Sequence, residues 1–239
     1  MAAKYETEAF VIGSVNFGEA DRIVTLFTKE RGKVRATAFG SRRPKNMLAG
    51  LQLFVRANVQ LTEGRNLDTV KSFSLISAPH GITADLTATA YAAFVAELVG
   101  ELFPENQEDA AAYAVLTEVF VAFEAGRSPR ITALFAAWQL LDAAGLGINS
   151  ETCAECGASL TDRAYFSPVA VGLFCDGCGA GKDLPAVDGA VRDFSWHSGD
   201  KKALRRADIL AAERIMLICT RNVLGKELRS LAFIREIGK

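Results

Sequence analysis

The sequence predicts an α+β protein: a small five-stranded barrel of the OB or SH3-like kind, then a helical domain carrying an inserted four-cysteine metal module. Three observations carry this prediction. Five short runs of β-branched and aromatic residues fill the first 78 positions, and the hydrophobic period turns helical from Thr83. The third is the spacing of Cys153, Cys156, Cys175 and Cys178, which reads C-x2-C-x18-C-x2-C. The domains expected are 1–80 for the barrel, 81–150 with 185–239 for the helical part, and 151–184 for the metal insertion.

Glu8–Val15 is the first strand expected, and Arg22–Thr28 the second, dense in Ile, Val, Leu and Phe. The turn Lys29–Gly32 leads into Lys33–Phe39, whose alternation sets Lys33, Arg35, Thr37 and Phe39 on one face. After a basic loop, Leu51–Leu61 and Leu67–Ile76 complete the barrel, parted by the turn residues Glu63–Asn66. A helix follows over Thr83–Leu102, with Phe94, Val95, Leu98 and Val99 on its apolar side, and Pro104 ends it. A second runs over Glu108–Ala125. Ser128-Pro129, a cap followed by proline at the first helical position, opens a third carrying Leu134, Trp138 and Leu141. Beyond the cysteines, helices are expected over Asp188–Trp196 and over the basic, amphipathic stretch Lys202–Leu224.

Zinc suits the cysteine spacing because four thiolates at about 2.3 Å complete its tetrahedral shell. Gly157 and Gly179 follow the two CxxC pairs and are expected to ease each turn. Two disulfides would need an oxidising compartment, and a redox CxxC would need a thioredoxin-like βαβ unit, which is absent. One structural Zn2+ on Cys153, Cys156, Cys175 and Cys178 is therefore expected. Four thiolates leave no position open for water, so no zinc catalysis is expected either. Cys219, in the run Ile215–Ile218, reads as a small buried hydrophobe.

Composition narrows the function. Half of the 239 residues are hydrophobic, which supports a large core. The N-terminus lacks a basic segment followed by an apolar one, and no apolar run approaches the ~18 residues that span a bilayer. A soluble, cytoplasmic protein without membrane contact is expected. The net charge of −1 conceals an asymmetry. Residues 1–80 carry 12 Lys/Arg against 7 Asp/Glu and residues 201–239 carry 10 against 4, while residues 81–150 carry 2 against 9. Basic ends around an acidic middle point to a polyanionic partner.

Catalytic signatures are missing. His80 and His197 stand alone, and neither a P-loop, a dinucleotide fingerprint nor a nucleophile elbow occurs, so an enzyme is not expected. Binding chemistry is present. The loop Gly40–Asn46 sets Arg42, Arg43 and Lys45 beside the barrel, and Lys33 and Arg35 extend the basic area. Arg205 and Arg206 begin a second basic region. Phe39 and Phe54 are candidates for base stacking, with buried core the expected role of each. Nothing resembles base-specific readout, so phosphate recognition without sequence preference follows.

These segments resemble the bacterial recombination-mediator family RecO, a DNA repair family. The resemblance rests on Gly18–Thr28 (Gly-Glu-x-Asp-x-Ile-Val-x-Leu-Phe-Thr), the Gly32-Lys33 turn, the basic loop after Gly40, Leu51–Phe54, the doubled CxxC and Leu224–Ser230. It implies a five-stranded OB-fold, a helical domain and an inserted zinc module. It also implies binding to single- and double-stranded DNA, annealing of complementary strands and a nucleoid-associated location. With RecR, such a protein helps load RecA on DNA coated by the single-stranded DNA-binding protein SSB. By position, Lys33, Arg35, Arg42, Arg43 and Lys45 fall where the family's barrel meets DNA, with Arg205 and Arg206 contributing. The family recognises the SSB tail through its helical domain, for which a basic rim at Arg127 or Arg130 is the expectation here. A position often basic in the family, after Ala38, is Phe39 in this chain. The alternative reading is a zinc-containing protein-interaction adaptor without direct DNA binding.

Overall fold

The computed structural model describes residues 2–161, 163–189 and 206–237. Strand β1 (Lys4–Phe17) is 14 residues long, enough to serve two neighbours. Its first half pairs with β4 (Arg56–Thr62) and its second with β2 (Asp21–Thr28), both antiparallel. β3 (Gly32–Ala38) runs antiparallel to β2 and meets β5 (Asp68–Ser77) in a short parallel contact at Ala36↔Asp68 and Thr37↔Thr69. With β5 antiparallel to β4, the sheet closes in the order β1-β2-β3-β5-β4, the OB-fold barrel. Alternation fills it: Val24, Leu26, Val34, Ala36, Val59 and Leu61 point inward, each at most 2 % exposed.

A bulge interrupts β1 between Val11 and Gly13. Ile12 lies near Gly100 of a helix outside the barrel, and a Cβ on Gly13 would sit 3.3 Å from the Thr25 side chain. The extra residue occupies the outer side, so the pleat changes phase there.

Helices cover the outer face at one end. α1 (His80–Ala84) and α2 (Leu86–Leu102) are separate because Asp85 leaves helical geometry and caps α2, its carboxylate accepting from Thr87 N at 2.7 Å. The expectation of one helix from Thr83 is corrected by that break. α3 (Ala110–Glu124) is capped by Asp109. Phe10 packs against Tyr113 and Phe120 with ring centroids 5.5 and 5.2 Å away, and Phe27 against Phe103 at 5.7 Å. The predicted strand Leu51–Leu61 begins only at Arg56; a 3-10 turn at Met47–Gly50 precedes it. Phe54 adopts φ 68 so that its ring, now buried, meets Phe120 at 5.7 Å, while its N–H donates to Val11 O at the bulge. α7 (Arg229–Ile237), unforeseen in the sequence, packs on α2, where the Glu97 carboxylate accepts from the backbone N–H of Arg229 and Ser230 at 2.9 and 2.8 Å.

The chain divides into two compact units: Met1–Pro129 with Leu228–Lys239, and Arg130–Glu227. The second contains α4 (Pro129–Ala143), which begins at the predicted proline, and a sheet absent from the sequence reading. That sheet joins β6 (Arg163–Ser167) to β7 (Gly172–Phe174) and β8 (Ala186–Asp188), with α5 (Asp176–Gly179) after β7. α6 (Arg206–Leu224) closes the unit; Arg130 pairs with Glu213, and Asn222 donates to Pro168 O at 2.8 Å. Residues 202–205 and most of the predicted helix Asp188–Trp196 lie outside the described residues. Cys219 is fully buried, as expected. Among the described residues no helix is long and apolar enough to cross a membrane.

Candidate nucleic-acid interface and metal centre

The basic loop is a built structure. The Gly40 N–H donates to Asp21 Oδ1 at 2.7 Å, the Arg42 N–H to Ala20 O at 2.9 Å, and Arg42 Nη1 to Gly18 O at 3.2 Å. These bonds pin the loop to the β1–β2 turn. Asn46 completes it, its Oδ1 accepting from Leu48 N at 2.8 Å to cap the 3-10 turn. Arg42, Arg43 and Lys45 all stand exposed on this frame.

Lys33 and Arg35 occupy the covered end of the same strand. Lys33 Nζ donates to Gly100 O at 2.5 Å, in the last turn of α2, where carbonyls lack helical partners and the dipole welcomes a cation. Lys33 O in turn accepts from Asn106 N at 2.8 Å. Gly32 has φ +60, and a Cβ there would come within 1.8 Å of Gln107 O, so only glycine permits this approach. Arg35 is exposed, with Nη1 3.9 Å from Glu105 Oε1. Arg206 is exposed at the start of α6, and Arg205 lies outside the described residues. The charges expected to act together are thus divided: three exposed on the loop, one braced against a helix, one beside a carboxylate.

The two phenylalanines part company. Phe54 is core, as expected, but Phe39 is 54 % exposed, against the expectation of burial. It follows Ala38, the last residue of β3, and so falls past the helical cover. Beside it, on the same outer face, are Val15 and Phe17, 68 % and 51 % exposed. The sequence reading missed both. The signal was Gly13, a glycine within a strand pattern, which marks a bulge and a change of face.

In the second unit the four cysteine sulfurs lie within 4.8 Å of one another. Cys156 Sγ and Cys175 Sγ are 3.7 Å apart, against about 3.8 Å for a tetrahedron edge built on 2.3 Å bonds. The first turn closes through Gly157, at φ +74, whose N–H donates to Cys153 O at 2.9 Å. Gly179 has no left-handed φ; it is required instead because a Cβ would lie 2.6 Å from the Tyr165 ring. Burial pulls the Cys153 thiol upward, yet backbone N–H groups of Cys156, Cys175 and Glu155 hold it down at about 6; the Cys175 N–H lies 3.3 Å from its sulfur. Hydrogen bonding to Cys156, then burial, pushes the Cys178 thiol up to about 12. One low thiol among four convergent sulfurs fits a soft divalent metal.

Two family models match the chain, the Recombination protein O N-terminal domain over residues 1–79 and its C-terminal domain over residues 83–232. The DNA repair protein RecO of Desulforudis audaxviator is 33 % identical over 245 residues, covering 98 % of both chains. That of Symbiobacterium thermophilum is 36 % identical over 220 residues, 90 % of this chain and 85 % of the relative. That of Bifidobacterium animalis is 38 % identical over 177 residues, 72 % and 73 % of the two chains.

Proposed function

The chain belongs to the RecO family of DNA repair proteins, and from that membership we propose that it is a non-catalytic, DNA-binding recombination mediator of the cytoplasm and nucleoid. It binds single- and double-stranded DNA and anneals complementary strands. With RecR it helps load RecA on strands covered by SSB. The observation that carries this reading is the loop of Arg42, Arg43 and Lys45, fixed by three hydrogen bonds to the β1–β2 turn with its cations facing solvent. Preset cations attract phosphates without paying to order a loop first. Arg35 extends this site along β3 and Arg206 marks a second basic area. Lys33 serves the site from behind, bracing β3 against α2.

Cys153, Cys156, Cys175 and Cys178 hold one structural zinc ion, which would supply cross-linking of the two CxxC turns and no chemistry on DNA. The test is binding of the intact protein to labelled single strands and duplexes over a salt series, with strand annealing followed in parallel. Affinity that falls steeply with salt, together with faster annealing, is expected. A protein that binds neither form at low salt would sink the reading and favour the adaptor.

A further inference from the structure

The outer face of β1, β2 and β3 has two fates along its length. Toward one end Phe10, Ile12 and Phe27 are buried under helical side chains and Lys33 is tied to α2. Toward the other, Val15 pairs with Ile23 and Phe17 with Asp21, and both apolar side chains of β1 stand mostly in solvent. Phe39 lies on the far side of Asp21, one residue past the Ala38↔Arg22 pair. Phe17 and Phe39 therefore flank β2, their backbones about two strand spacings apart, on the order of 10 Å. The Arg42–Lys45 loop is hydrogen-bonded to the turn that follows Phe17, so cations and rings share one rim.

We propose that this open end is a stacking platform for unpaired bases, on which Phe17 and Phe39 each take a base while the phosphates run along Arg42, Arg43 and Lys45. The inference rests on the DNA-binding reading and goes beyond it by assigning selectivity for the unpaired strand to two residues. Charge fixes the orientation. Asp21, paired with Phe17 and engaged by the Gly40 N–H through its carboxylate, repels phosphates from the sheet, while the loop attracts them to its edge. The rings are carried by strand ends rather than free loops, so little freedom is lost on contact. A duplex keeps its base faces stacked internally and gains nothing from the rings; an unpaired strand offers every face.

The experiment is anisotropy with labelled oligothymidylate and a mixed-sequence duplex, on wild type, Phe17→Ala, Phe39→Ala and Phe39→Trp. Both side chains are more than half exposed, so folding is preserved, which thermal melts verify. Each alanine should lower affinity for the single strand about tenfold, leaving the salt slope and the duplex affinity unchanged. Phe39→Trp should keep the wild-type affinity, and its added emission should be quenched by the strand. Alanine variants that bind the strand like wild type would overturn the platform alone and hand this face to a protein partner. Equal losses on strand and duplex, or a changed salt slope, would also overturn it. If wild type binds no DNA at low salt, the DNA-binding reading falls and the platform with it.

Discussion

Replacing Arg42, Arg43 and Lys45 together by alanine should flatten the salt dependence of single-strand binding by a definite amount. Each phosphate neutralised on a single strand contributes ~0.7 to the log–log slope, so three lost contacts remove about 2. Raising salt from 50 to 200 mM would then cost the variant roughly 20-fold less affinity than wild type loses. Arg42 retains its place in this sum although it donates to Gly18 O, because a hydrogen bond to a carbonyl at 3.2 Å leaves the exposed charge uncancelled. Lys33→Ala is the contrasting perturbation. Its ammonium lies 2.5 Å from Gly100 O, so the expected loss is in stability, about 1–2 kcal/mol, with the slope almost unchanged. Anisotropy titrations at several salt concentrations measure the slopes, and thermal melts measure the stability. A triple variant with the wild-type slope would refute the placement of phosphates on the loop. So would Lys33→Ala flattening the slope as much, per charge, as the loop substitutions do.

Three further outcomes are expected. Cys175→Ser should reduce bound zinc from about one ion per chain and destabilise the second unit by several kcal/mol, read by metal analysis and melting; an unchanged melt would contradict a structural metal. Glu97→Ala removes the acceptor for two N–H groups and for the Ser230 hydroxyl at 2.6 Å, so amides of α7 should exchange faster and stability fall by about 1–3 kcal/mol. Burial pushes the Cys219 thiol up to about 12, well above its ordinary value near 9. Because the unfolded chain gives up this proton first, stability should fall as pH rises from about 9 toward 12, by at most ~1.4 kcal/mol per pH unit. Cys219→Ala should remove that part of the alkaline slope in denaturant titrations.

What was legible in the sequence was local. β2 and β3 are runs of branched and aromatic residues bounded by turns, and Asp21–Thr28 and Gly32–Ala38 fall almost where the pattern puts them. The four cysteines were legible because two short turns and a spacing suffice to define them. What was hidden depends on distant partners. Phe54 breaks the expected strand because Phe120 and the Val11 carbonyl fix it in a left-handed conformation. α7 has only nine residues, and its first turn is capped by Glu97, remote in sequence. Strands of three to five residues, such as β6 to β8, are too short to show a period. At the site, the loop cations were visible, but their division from Lys33 was not, since nothing near Lys33 announces the α2 carbonyl.

The bulge in β1 works as a frame setting for the whole rim. Inward and outward alternate with every residue, so one inserted position decides which half of the following letters is displayed. With Phe10 outward and strict alternation carried through Gly13, Val15 and Phe17 would fall on the inner side of the sheet. Because Ile12 and Gly13 share the outer side, Val15 and Phe17 are displayed instead. Straightening the bulge with Gly13 in place would move Val15 and Phe17 off the outer face, whereas deleting Gly13 would remove the extra residue and keep both of them on it.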